Sequence, residues 1–303
     1  MSDLNNHEGL RPVFIGGCGR SGTTMLASLL GAVEGAVVTP ESQFKIDYLY
    51  DERNTLNYKN LWRLKTWDLS IDRFKELART SASKQLALES LVREYSFQHS
   101  GSVPCYWIDH TPDNIRYVDL LLENFKVAKF INIVRDGRAV ASSMMRLKWG
   151  ADTIYEASEW WRERVALGFA AEHAFPDRVM TVSYEKILNN PEGELRRLCE
   201  FIGIKYTAKM LQGTGFRMPD YRREQHLLVG SPPDSSRIEA WKSELMHSEI
   251  EIFETISSQY LKALGYQLSG ADIKRSSVGS VLKRKLQVRP FILSMMRKVK
   301  GWK

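Results

Sequence analysis

The stretch GGCGRSGTTM, residues 16–25, gathers four glycines, an arginine, a serine and two threonines within ten positions. These residue types can hold an oxyanion. Glycines permit a tight turn whose N–H groups converge on one centre, Thr23 and Thr24 add hydroxyl donors, and Arg20 supplies a forked cation. The apolar run Val13-Phe14-Ile15 leads in, and Leu26, Leu29 and Leu30 follow at helical spacing. A helix starting near Ser21 therefore adds its unpaired N–H groups and positive dipole end. The lysine that a Walker loop carries after its last glycine is missing, since Gly22 is followed by Thr23-Thr24. Nothing obvious supplies the hydroxyl and carboxylate pair that magnesium would need. Such a loop suits an anion of lower charge than a triphosphate; the plainer alternative is a turn that only packs a strand on a helix.

A second constellation is Arg135-Asp136-Gly137-Arg138, directly after the apolar run KFINIV, with Ser143 eight residues beyond Arg135. An arginine at the end of a strand and a serine two turns into the next helix can pinch another phosphate. An ordinary strand-to-helix turn with surface arginines is the alternative.

Positioning these groups requires strands that end where they begin. Five short apolar runs read as buried strands, at 11–16, 36–39, 105–109, 129–134 and 178–183. Helical patterning lies between and beyond them, over 21–31, 70–98, 113–124, 152–174, 191–201 and 247–264. The alternation predicts an α/β fold: a P-loop-like parallel sheet of about five strands with helices on both faces. The interval 44–103 is too long for a simple crossover and is expected to be a helical insertion over the sheet's carboxyl edge, on the acceptor side. Asn190-Pro191 before EGELRRLCEFIG marks a helix start.

An apolar content of 43% is enough for one large domain, taken as 1–270, and no run of eighteen apolar residues marks a membrane span. The opening MSDLNNHEGL lacks the features of a secretory signal. Cys18, Cys105 and Cys199 are too scattered for a zinc site or a disulfide framework. The expectation is a cytoplasmic protein without a metal. From residue 271 onward ten Lys/Arg face Asp272, a net of +9, so that residues 1–270 carry −2 of the chain's +7. The basicity belongs to the tail, which excludes a uniformly basic nucleic-acid binder. The tail 271–303 interleaves Leu, Phe, Ile, Met and Trp with cations, as a segment peripheral to an anionic membrane does; a solvated basic end has the same composition.

GRSGTT at 19–24, followed by VRDGRAVASSM at 134–144, resembles the sulfotransferases that use 3′-phosphoadenosine-5′-phosphosulfate (PAPS), in the branch of the tyrosylprotein sulfotransferases and many bacterial members. The resemblance implies a 5′-phosphosulfate held by Gly19, Arg20, Ser21, Gly22, Thr23 and Thr24, and a 3′-phosphate held by Arg135 and Ser143. It implies 3′-phosphoadenosine-5′-phosphate (PAP) as product and no metal. VSYEKILNNPEGELRRLCEFIG at 182–203 and SPPDSSRIEAWKSEL at 231–245 extend it, implying Tyr184 against the nucleotide and a late loop over the cofactor.

Moving a sulfuryl group to an alcohol needs a base for the acceptor proton and positive charge for the departing phosphate. Glu41, in TPESQF just past the second strand, stands twenty-one residues after Arg20. The resemblance gives that spacing to the catalytic glutamate; a helix-start carboxylate after Pro40 is the alternative. Arg20 would hold the leaving phosphate. Where the family carries a lysine after its third strand, WIDHTPDN has His110, which could donate to the bridging oxygen, with Asp109 raising its pKa, or could cap the turn. The family arginine after the serine falls at Leu147, between Arg146 and Lys148, and Gln43 replaces a basic residue near the acceptor. Tyr48, Tyr50, Tyr58, Trp62 and Trp67, joined by Trp149, Trp160 and Trp161, suit a sugar ring or apolar alcohol unless they are core. The expected acceptor is the hydroxyl of a carbohydrate or glycolipid. Alternatives are a tyrosine-type peptide or a small alcohol, and, more distantly, a P-loop-like nucleotide-binding protein or kinase.

Overall fold

All five apolar runs pair. β1 (Arg11–Gly17), β2 (Ala36–Thr39), β3 (Tyr106–Asp109), β4 (Lys129–Val134) and β5 (Val179–Ser183) form one parallel sheet in the order β2-β3-β1-β4-β5. The computed structural model describes residues 9–51, 60–216 and 234–270. Side chains alternate across the sheet with period two. Phe14, Val37, Trp107, Phe130 and Val179 face one core, while Ile15, Val38, Ile108, Ile131, Ile133 and Val182 face the other. Both faces are covered, as a parallel sheet requires.

The first face lies under α2 (Phe44–Tyr50), α3 (Ile71–Thr80), α4 (Lys84–Ser100) and α5 (Val118–Asn124). Phe14 anchors it, with edge contacts to Trp107 at 5.3 Å and Phe125 at 5.7 Å. The insertion expected over the carboxyl edge thus packs much of its mass on a sheet face. Phe44, Tyr48, Leu64, Trp67, Phe74, Leu88 and Leu91 are too apolar to stand at a solvated rim and join the core of Phe14 and Trp107. The second face is covered by α1 (Thr23–Leu30), α8 (Tyr184–Asn189) and α9 (Pro191–Ile202). A third cluster joins α6 (Gly137–Met145), α7 (Ile154–Ala174), α10 (Trp241–Glu244) and α11 (His247–Ala263).

Three boundaries differ from expectation, each for a local reason. The helix after the first loop begins at Thr23, because Gly22 has φ 99° and stands outside it. The pattern over 70–98 divides at Ser81-Ala82-Ser83, where the Ser83 hydroxyl accepts from the Leu86 amide and starts α4. Residues Pro112–Arg116 form a tight 3₁₀ turn ahead of α5. Asn190 caps α9 as expected, accepting from the Gly193 amide with Pro191 in the first turn. The tail 271–303 and the start of the late loop lie outside the described residues.

α10 is fastened to α6 by Glu244, which accepts from Ser142 Oγ at 2.6 Å and pairs with Arg146 and, at 3.3 Å, with Arg237. Burial pushes the Glu244 carboxyl up, but the bonds from Arg146 and Ser142 outweigh this and hold it below its ordinary 4.5. A carboxyl depressed in the folded state adds stability above its unfolded pKa and loses it as pH falls through the folded one. Glu244→Gln is therefore expected to flatten the acid side of the stability profile below 4.5. Thermal melts from about pH 3 to 7 check this, and a variant profile parallel to the wild type would refute it.

Candidate active site

Parallel pairing brings the loops after β1, β2, β3 and β4 to one edge of the sheet. The chain leaves β1 for β2 and β3 on one side and goes on to β4 and β5 on the other, and ligands of open α/β sheets gather at such a reversal. The register sets Phe14 and Thr39 beside Asp109, and Gly17 beside Ile133, so the loop starts emerge side by side.

The first loop is shaped by close approach. A Cβ on Gly22 would meet the Tyr184 ring at 2.6 Å, and one on Gly16 would meet the Ile115 amide nitrogen at 2.6 Å. The first turn of α1 has neither a side-chain cap nor an acidic residue, which leaves its N–H groups for an anion. Thr23 and Thr24 are buried, and the fully buried Ser21 hydroxyl has no hydrogen-bond partner. A buried unsatisfied hydroxyl is uncommon and fits a donor reserved for a ligand.

The two motifs meet directly. Arg20 Nε donates to Ser143 Oγ at 3.1 Å across 123 positions of chain, and Arg135 Nη1 donates to the Arg20 carbonyl at 3.1 Å. Arg135 stacks on the Tyr184 ring at 4.4 Å, and its buried Nε has no hydrogen-bond partner. Burial pushes the Tyr184 hydroxyl up against the pull of Arg135, which keeps it protonated. Arg20 itself has φ 72°, a left-handed conformation unusual for a side-chain-bearing residue.

Glu41 lies two residues past β2, with its side chain 13% exposed. Its carboxylate accepts from Arg63 Nη1 and from Gln43 Nε2, each at 3.2 Å. His110 is buried; its Nδ1 lies 3.4 Å from Thr24 Oγ1, and its ring edge meets Phe216 at 5.1 Å. The expected help from Asp109 takes another form: its carboxylate turns to Lys45, Ser42, Asn114 and the Thr111 amide. Burial pushes the Asp109 carboxyl up, but Lys45 and these bonds overcome it and hold it below the carboxylate range.

Arg63 and Lys45 escaped the sequence reading. Arg63 sits in the 3₁₀ turn Leu61–Trp67, and nothing in LWRLKTW ties it to Glu41. Lys45 did leave a signal, being a lone cation inside the apolar pattern FKIDYLY. The aromatic residues divide. Tyr48, Trp67 and Trp161 are core, whereas Tyr50, Trp62 and Trp149 are exposed. Trp160 packs on the loop, where a Cβ on Gly19 would meet it at 2.9 Å, and Tyr58 lies outside the described residues. Beside Leu147, Arg146 is taken up by Glu244 and Ser142. Among the described residues no group of His, Cys, Asp and Glu could hold a metal, and no helix is long and apolar enough to cross a membrane. Chemically, the site offers two guanidinium groups and a cradle of donors for anions, with a carboxylate across the edge from them.

The model of the sulfotransferase family matches residues 12–208. Protein-tyrosine sulfotransferase A of Caenorhabditis elegans is 23% identical over 267 residues, covering 84% of this chain and 67% of that protein. A putative protein-tyrosine sulfotransferase of Caenorhabditis briggsae is 25% identical over 251 residues, covering 81% and 79%. Among solved structures, the sulfotransferase domain of the Synechococcus PCC 7002 olefin synthase superimposes with a TM-score of 0.63 at 19% identity, over 88% of this chain and 99% of that one. That likeness is one of fold.

Proposed function

The chain belongs to the sulfotransferase family and is a sulfate-transferring enzyme, and from that premise we propose that it uses PAPS to sulfate the hydroxyl of a tyrosine-type acceptor. The observation carrying the donor is the hydrogen bond from Arg20 to Ser143, which joins the two anion-binding motifs into one constellation. The relatives named protein-tyrosine sulfotransferases support a tyrosine-type acceptor over the carbohydrate that the sequence put first. Burial of Tyr48, Trp67 and Trp161 also removes part of the aromatic platform on which the carbohydrate expectation rested.

The residues present fit an adenosine bisphosphate. The partnerless Ser21 hydroxyl and the uncapped start of α1 suit the 5′ end, with Arg20, Gly22, Thr23 and Thr24. Arg135 and Ser143 suit the 3′ phosphate, with Tyr184 beside them. When bound, PAPS supplies an activated sulfuryl group on a stable phosphate leaving group. In this reading Glu41 takes the acceptor proton, and Arg63, which donates to its carboxylate, orients it. Arg20 offsets negative charge that builds on the leaving side. His110, held by Thr24, stands in for the family lysine as a donor on that side.

The test is transfer of labelled sulfate from PAPS to three acceptors: a tyrosine peptide, a glycolipid and a small alcohol. Labelled tyrosine peptide is expected, with PAP binding seen by calorimetry. Label on the glycolipid alone would reverse the acceptor reading. Absence of both transfer and PAP binding would overturn the donor reading.

A further inference from the structure

We infer that Lys45 is a positioning residue: its buried ammonium, acting through Ser42 and Asp109, locks the segment bearing Glu41 against the turn bearing His110. This rests on the roles proposed above for those two residues. Lys45 is fully buried on α2, with its ammonium over the Phe14 ring at 5.4 Å. Its three protons have three acceptors: Asn114 Oδ1 at 2.6 Å, Ser42 Oγ at 3.1 Å and Asp109 Oδ1 at 3.4 Å. Ser42 Oγ donates in turn to Asp109, and the Ser42 amide donates to Thr111 Oγ1 at 2.9 Å. Asn114 Nδ2 donates to Asp109 Oδ1 at 2.9 Å and to the Ile15 carbonyl at 3.1 Å, one residue before the glycine loop.

The network therefore joins the carboxyl ends of β1, β2 and β3. Ser42 follows Glu41 and Asp109 precedes His110, so each residue proposed for chemistry is covalently next to a member of it. Stability alone is a weak reason for such a pair, because apolar residues of similar volume often replace a buried ion pair without loss. Burial draws the Lys45 pKa down and Asp109 pulls it back up; the case for the role stands on the bonds. What an apolar replacement could not do is fix the angle and register of two loops through directed bonds. A shift of about 1 Å at reacting groups lowers rate about a hundredfold.

The double variant Lys45→Met/Asp109→Asn removes both charges at nearly constant volume. It is expected to keep the wild-type melting temperature, PAP affinity and KM for PAPS, while kcat falls about a hundredfold. Amide exchange over 40–45 and 109–111 should quicken about tenfold. Wild-type kcat with unchanged exchange would overturn the inference. Should the double variant not fold, Ser42→Ala removes the hydroxyl joining Lys45 to Asp109 and keeps both charges. A loss in kcat of about tenfold at unchanged melting temperature then supports the role, and unchanged kcat and exchange overturn it. The exchange readout is independent of the reaction. A wild-type chain that neither binds PAP nor transfers sulfate sinks the proposed function, while faster exchange at both segments still supports the coupling and unchanged exchange still refutes it.

Discussion

Glu41→Gln lowers kcat for sulfate transfer by about 10²- to 10⁴-fold and leaves PAP affinity unchanged. The expectation follows from what the substitution keeps. The side chain is only 13% exposed and accepts from Arg63 and Gln43. A glutamine oxygen can accept from the same two donors, so the loop after β2 keeps its place. What disappears is basicity, the one property a proton acceptor needs. The alternative assignment, a carboxylate that merely favours the start of α2, predicts the reverse. The first turn of α2 already carries Asp47, so under that reading the variant would lose a little stability and no rate. Melting temperature and kcat measured together on one preparation separate the two. A variant with wild-type kcat would remove Glu41 from the chemistry even if the family assignment stands.

The central strands were legible because each is short, apolar and buried almost throughout, so the runs at 11–16 and 129–134 could hardly be anything else. The first motif was equally plain, since glycines at 16, 17, 19 and 22 mark a turn regardless of what surrounds it. Long-range consequences of topology were not legible. No local pattern says that Arg20 reaches Ser143 or that Arg135 donates to the Arg20 carbonyl, because the sheet order alone brings these loops together. The insertion illustrates the same limit. Its apolar positions foretold a buried face, and the surface it buries against depended on where Phe14, Trp107 and Phe130 point. Asp109 was noticed for its neighbour His110, yet alternation along β3 sends its carboxylate to Lys45 on another element.

Arg20→Gly is expected to separate stability from activity, moving them in different directions. Arg20 adopts φ 72°, a conformation that costs a side-chain-bearing residue about 1–2 kcal/mol. Glycine adopts it freely but loses about 0.5–1 kcal/mol more in backbone entropy on folding. The net change in stability is therefore zero or slightly favourable. The carbonyl that accepts from Arg135 is backbone and survives the change. The guanidinium that donates to Ser143 does not, and with it goes the cation shared by both anion-binding motifs. Loss of one donor aimed at developing charge lowers rate about 10²- to 10³-fold, and a cation at the leaving group belongs at the upper end. Arg20→Ala supplies the control, since it loses the same guanidinium and keeps the strained backbone. The two variants should match in kcat/KM, with the glycine variant melting about 2 °C higher. Equal melting temperatures would mean that the loop relaxes around position 20. Retained transfer in the glycine variant would mean that the leaving phosphate draws its positive charge from a group other than Arg20, with His110 the donor assigned to that side.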